Sequence, residues 1–299
     1  MSWERKIDIP EQAQTAFADI MSEVRRSTAN LEQMDQDYVL AKVLEQATPH
    51  FPLHLPDGRL HITCPSRSAW HHARGFFDTE PETLHWIDQF APGEVFWDIG
   101  AGIGIFALYA AFTRGTQVLA FEPGAASYGS LNRNVEINQL QNQIHCYCLA
   151  FSGTTLLHNL NLFSTEAGSI FNTFGEPLDY MGQKLEPVFR QGMLGFAVND
   201  FVKTFQPPIP NHIKLDVDGI EDEILASAGA LLENPRLQTI LSELVEGNDQ
   251  RTNRILDSLA AAGFRTSPRN PPSKGQVPNA VFVRQGVDFA PDWPSTSGF

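Results

Sequence analysis

Asp98-Ile-Gly-Ala-Gly-Ile-Gly104 sets three glycines at alternate positions just behind a carboxylate. Glycines so spaced after a strand make a tight turn and let a ligand approach bare backbone at the start of a helix. A carboxylate two positions before the first glycine repels a pyrophosphate, yet it suits the ammonium end of an amino-acid-bearing ligand. Glu122 lies 24 positions after Asp98, about where an acid accepts hydrogen bonds from both hydroxyls of a ribose. Ile105 stands where a dinucleotide site would carry its third glycine. Gly100, Ala101, Gly102, Gly104, Glu122 and Pro123 are therefore the candidate binding surface, and S-adenosylmethionine fits it better than a nicotinamide dinucleotide.

A second charged constellation is Lys214-Leu-Asp216-Val-Asp218. On a strand, Lys214, Asp216 and Asp218 project to one side while Leu215 and Val217 enter the other packing layer. Three roles compete for the cluster. A carboxylate, Asp216 first, could take the proton of an acceptor hydroxyl as general base. Asp216, Asp218 and Glu243 could hold a divalent cation, the less favoured reading, so no metal site is assigned. Lys214 and Asp216 could also form a structural ion pair that only anchors the strand.

These residues need a scaffold, and the hydrophobic rhythm supplies one. From about Glu80 strand and helix alternate: Val95 to Ile99, Ile103 to Thr113, Val118 to Glu122, Ala125 to Asn138 and Ile144 to Leu149. The rhythm resumes with Ile213 to Val217, Ile220 to Leu232, Thr239 to Leu244, Arg251 to Ala262 and Ala280 to Arg284. Consecutive βα units predict an α/β fold with a parallel sheet and helices on both faces. Residues 11–47 carry apolar positions at helical spacing, with Thr28 to Asn30 offering a cap between two helices. Leu53 to Ile62 alternates around Asp57-Gly58, a hairpin signal. The expected division is residues 1–75, a helical extension plus hairpin, and residues 76–299, the main domain. An excursion at about 151–210 is too long for a connector and is placed to shape a pocket at the strand ends. Its aromatic residues Phe151, Phe163, Phe171, Phe174, Tyr180 and Phe189 suit either sugar faces or packing. His71-His72, before the sheet, could reach the site or form a surface pair, and neither is assigned a catalytic role.

Composition narrows the partners. The chain has 299 residues, 42% hydrophobic, with 21 Lys plus Arg against 35 Asp plus Glu, a net charge of −14. Such a chain can bury a large core, and it repels a phosphate backbone, so nucleic acid is not an expected partner. No apolar stretch is long enough to span a membrane, and three cysteines, Cys64, Cys146 and Cys148, make no disulfide framework. A cytoplasmic protein without a membrane partner is expected, with a small-molecule or glycan acceptor and with homodimerisation through the N-terminal helices as an open question.

Taken together, Asp98 to Gly104, Phe121-Glu122-Pro123 and Ile213-Lys-Leu-Asp-Val-Asp-Gly-Ile-Glu221 resemble the FkbM family of S-adenosylmethionine-dependent methyltransferases. Glu80-Pro-Glu-Thr83, Asn132-Arg-Asn134, Asn199-Asp200 and Glu243 fall where that family has similar residues. The resemblance implies a Rossmann-like class I methyltransferase fold, a seven-stranded, mostly parallel sheet in order 3-2-1-4-5-7-6 with the last strand antiparallel, behind the helical N-terminal extension. It also implies methyl transfer to a hydroxyl of a sugar, glycan or secondary metabolite, with Ala150 and Phe151 beside the adenine. A silent S-adenosylmethionine-binding scaffold and a nicotinamide-dependent oxidoreductase are the alternatives.

Overall fold

The structure, a computed structural model, describes residues 11–178, 182–244, 249–267 and 279–289. It divides into two units between Pro49 and His50. The first unit contains two helices, Glu11–Thr28 and Gln33–Ala47. Thr28 does not cap the second of them. Its hydroxyl bonds back to the Val24 carbonyl at 2.9 Å, and Glu32 occupies the cap position without a side-chain bond. A threonine inside the last turn reaches its own i−4 carbonyl more easily than the next helix.

The second unit begins with the hairpin His50–Leu55 and Gly58–Thr63, closed at Asp57-Gly58 as expected. Its alternation turns Leu53, Leu55, Leu60 and Ile62 into the core that also contains Phe96, Leu108 and Val118. Burying that apolar face ties the hairpin to the rest of the second unit. Two asparagines of helix Ala125–Ile137 and its end complete the attachment. Asn134 accepts from the Thr63 N–H at 2.7 Å, and Asn138 exchanges hydrogen bonds with His61 at 2.8 and 2.7 Å.

The main sheet consists of β1 (Val95–Ile99), β2 (Gln117–Phe121), β3 (Ile144–Tyr147), β4 (His212–Leu215), β5 (Thr239–Glu243), β6 (Phe264–Thr266) and β7 (Asn279–Arg284). Their order is β3-β2-β1-β4-β5-β7-β6, with β7 antiparallel to both neighbours. This is the Rossmann-like class I methyltransferase topology. All five residues of β1 are buried: Val95, Trp97 and Ile99 join one core cluster, while Phe96 joins the cluster on the opposite face. A strand covered on both faces has no place for an isolated charge, which makes Asp98 conspicuous.

The excursion is built as a second sheet, in order Ala150–Ser152, Phe189–Ala197, Leu156–Leu162, Thr173–Phe174, followed by helix Val198–Phe205. Tyr180 lies outside the described residues. No helix among them is long and apolar enough to cross a membrane.

Candidate functional site

β1 hands the chain to the glycine turn at the carboxyl edge of the sheet, and each glycine there has its own steric reason. A Cβ on Gly100 would stand 1.8 Å from the Asp216 carbonyl oxygen, so the turn and the end of β4 touch backbone to backbone. A Cβ on Gly104 would stand 2.2 Å from Leu131 Cδ1, so the helix Ile105–Arg114 starts against helix Ala125–Ile137. Gly102, at φ +56°, has nothing within 4 Å of that position, and it faces open cleft. Asn134, fully buried, steadies the turn by donating to the Ile103 carbonyl at 2.8 Å.

Glu122 follows β2 and is pinned by backbone. The Gly102 N–H donates to Oε2 at 2.8 Å and the Gly124 N–H to Oε1 at 2.7 Å. Burial nevertheless pushes its carboxyl up to about 7. Gln191, from the second sheet, donates to the Pro123 carbonyl at 2.8 Å and accepts from the Ala125 N–H at 3.0 Å, so the excursion holds this rim in place. Asp98 is 1% exposed, with no hydrogen-bond partner for either oxygen. Burial raises its carboxyl to about 7 against the pull of the Lys214 ammonium.

β4 runs beside β1 with Lys214 directly opposite Asp98. Lys214 is 2% exposed; its Nζ lies 2.5 Å from Asp216 Oδ2, 3.7 Å from Glu80 Oε2 and 5.0 Å from the centre of the Phe106 ring. Burial works against its charge, but Asp216, Glu80 and Asp98 hold its pKa above the ordinary lysine value. Asp218 departs from the expected alternation. The strand ends at Leu215, and Asp218 sits at φ +58° in a turn, where Oδ2 accepts from the Phe171 N–H at 2.7 Å. Burial first, then the charges of Asp216 and Glu221, push its carboxyl up to about 8. Glu243, at the end of β5, rises to about 9 through burial and the charges of Asp216, Asp218 and Glu221. Among the described residues no group of three His, Cys, Asp or Glu is arranged to hold a metal ion.

The segment 167–172 crosses this edge as a strap. Ser66 and Ser68 donate to the Ala167 and Gly168 carbonyls at 2.6 and 2.5 Å, and the Gly168 N–H donates to Ser127 Oγ at 3.0 Å. His72 Nε2 lies 2.9 Å from the Gly168 carbonyl, which can only accept, so the ring proton is on Nε2. Burial lowers the His72 pKa, keeping the ring neutral.

One cleft collects Gly100, Ala101, Gly102, Glu122, Pro123, Ala150, Phe151, Lys214, Asp216 and Asp218, residues that sequence reasoning had nominated separately. Asp98 and Gly104 do not line it; Asp98 is buried beside Lys214 on the neighbouring strand. Phe151 borders the cleft, but its ring belongs to the core, stacked on Trp97 at 6.1 Å and edge-on to Phe121 and Phe201. Three contributors went unassigned: Glu80, His72 and the strap residues 168–172. Glu80 had a weak signal, an acid opening the main domain; the strap lies within the excursion expected to shape the pocket, but which of its residues do so follows from long-range anchoring.

No curated protein matches the chain. Solved structures similar to it include the methyltransferase FkbM from Methylobacillus flagellatus KT, with 13% identity over 72% of this chain and a TM-score of 0.44. The chain spans about half of that protein, 53% of its length. Others are the METTL16 methyltransferase domain, at 15% identity over 84% of this chain and 92% of that one with TM-score 0.45, and precorrin-6y C5,15-methyltransferase from Geobacter metallireducens, at 12% over 69% and 87% with TM-score 0.41. The methyltransferase FkbM domain matches residues 98–266, more than half of the 299 residues, and the chain belongs to that methyltransferase family.

Proposed function

We propose that the protein is an S-adenosylmethionine-dependent O-methyltransferase acting on a hydroxyl of a sugar, glycan or secondary metabolite. The observation that carries this reading is the pairing of a backbone-pinned acid with an open glycine. Glu122 is held at the cleft by the Gly102 and Gly124 N–H groups, and no atom fills the space above Gly102. Each Glu122 oxygen keeps acceptor capacity for a ribose hydroxyl. The unpartnered Asp98 carboxylate supplies negative potential from below, which suits an ammonium and a sulfonium and opposes a diphosphate.

S-adenosylmethionine supplies an already activated methyl group, so the protein's task is mostly to hold the reacting atoms in line. Pro123, Ala150 and the Phe151 backbone border the space for the base. Lys214 and Asp216 hold each other at 2.5 Å, which makes Asp216 an anchor of the cleft edge. Asp218 is the better general base: Oδ2 is fixed by Phe171, and Oδ1 is the oxygen to receive the acceptor's proton.

Titration calorimetry with S-adenosylhomocysteine tests the binding half of the proposal. Glu122→Ala is expected to weaken affinity by about 10- to 100-fold, the value of one or two hydrogen bonds to a charged group. Unchanged affinity would refute the assignment. A screen of neutral glycans and polyketides, read by S-adenosylhomocysteine release, tests the acceptor half.

A further inference from the structure

Among the described residues lining the acceptor side of the cleft, no cationic group is free to receive an anion. Beyond the glycine turn its lining carboxylates are Glu80, Asp216 and Asp218. Lys214 is the only Lys or Arg among the described lining residues, and its ammonium is taken by Asp216, Glu80 and the Phe106 ring. His72 is neutral, with its N–H turned to the Gly168 carbonyl. Two backbone donors at the cleft are occupied as well: the Gly102 N–H by Glu122 and the Phe171 N–H by Asp218. Behind the lining, Asp98, 1% exposed and opposite Lys214 on the neighbouring strand, draws on the same ammonium and leaves less of it for an incoming anion.

We infer that the acceptor carries no anionic group beside its reacting hydroxyl, so that a neutral polyol or an ammonium-bearing alcohol enters and phosphorylated, sulfated or carboxylated acceptors, nucleic acids included, are rejected. This rests on the methyltransferase reading above and adds the charge of its substrate. One uncompensated carboxylate about 5 Å from an incoming anion, at an effective dielectric of about 20, costs on the order of 100-fold in affinity. Discrimination therefore arises by repulsion, without a dedicated contact.

The test uses three probes built on 5′-amino-5′-deoxyadenosine. Each keeps the amino-acid arm and carries on the nitrogen a propyl arm ending in hydroxyl, ammonium or carboxylate. With the full-length protein, the hydroxyl and ammonium arms should bind at least ~10-fold more tightly than the carboxylate arm. Ile170→Lys, at a rim position 47% exposed, should tighten the carboxylate arm and weaken the ammonium arm. A carboxylate arm that binds as well as the others, while S-adenosylhomocysteine still binds, overturns this inference alone. Failure of every probe and of S-adenosylhomocysteine overturns the cofactor reading, and this inference with it.

Discussion

Replacing Asp98 with Asn should stabilise the free protein and impair its ligand binding, and the size of the first effect can be worked out from the fold. The carboxylate is 1% exposed and has no hydrogen-bond partner, and its pKa moves from 3.8 to about 7. Because the folded value lies above the unfolded one, the unfolded chain gives up its proton first as pH rises. Stability is therefore lost between about pH 4 and 7, amounting to about 4 kcal/mol once the folded group ionises. Asparagine removes that loss but leaves a buried amide short of partners, at about 1–3 kcal/mol. The net expectation at pH 8 is a gain of about 1–3 kcal/mol, at about 2–4 °C per kcal/mol. At pH 5 the loss has reached only about 1–2 kcal/mol, which the amide's own cost offsets, so the net gain should be close to zero. Urea and thermal unfolding at pH 5, 6, 7 and 8 measure the difference directly. S-adenosylhomocysteine affinity should meanwhile fall by about 10-fold. A variant less stable than wild type at pH 8, or a difference independent of pH, would show that Lys214 already neutralises Asp98 and that the floor of the cleft carries no spare charge.

Three further variants separate the roles of neighbouring residues. Gly102→Ala should fold, losing about 1–2 kcal/mol to its φ of +56°, and should bind S-adenosylhomocysteine at least ~10-fold more weakly because the methyl enters the cleft. Gly100→Ala, whose methyl would meet the Asp216 carbonyl at 1.8 Å, should not give a folded protein; equal melting temperatures for the two variants would contradict this steric assignment. Asp218→Asn should keep S-adenosylhomocysteine affinity within about 3-fold and slow turnover by about 100- to 10,000-fold. In wild type, kcat/KM should rise with pH, half-complete near the Asp218 value of about 8, and level off above it. A variant retaining that profile would remove Asp218 from proton transfer.

The parts of this site that were legible in sequence are those fixed by local geometry. Gly100, Gly102 and Gly104 all have positive φ, and Asp98 and Glu122 end adjacent strands, so spacing alone aligned them. Lys214 and Asp216 alternate on one face and meet as alternation requires. Asp218 broke the pattern because the ladder ends at Leu215 and the next residues turn. Glu80 and the strap were hidden for a different reason. Glu80 reaches Lys214 across the domain, and Gly168 is fixed by Ser66, Ser68, His72 and Ser127, contacts with no local signature. The hairpin could be predicted from Asp57-Gly58, whereas its docking needed Asn134 and Asn138 to complete its edge, which fold-level reasoning about an appendage does not anticipate.

Strain and unbalanced charge converge on one hydrogen bond. Phe171 and Asp218 both adopt positive φ, +64° and +58°, conformations that cost a side-chain-bearing residue on the order of 1 kcal/mol each. Their joint product is the single N–H to Oδ2 contact that fixes the Asp218 carboxylate in the cleft. Neither backbone conformation is needed to close the sheet, which is complete at Leu215 and Glu243. A turn selected for stability alone would place glycine or asparagine at such positions and would not aim a raised carboxylate at Asp216 and Glu243. The strap therefore has an electrostatic function beyond covering the cleft. By donating to Oδ2 it favours the ionised form of Asp218 against burial, which in the proposed reaction would keep the base within reach of neutral pH where its acidic neighbours would otherwise hold the proton on.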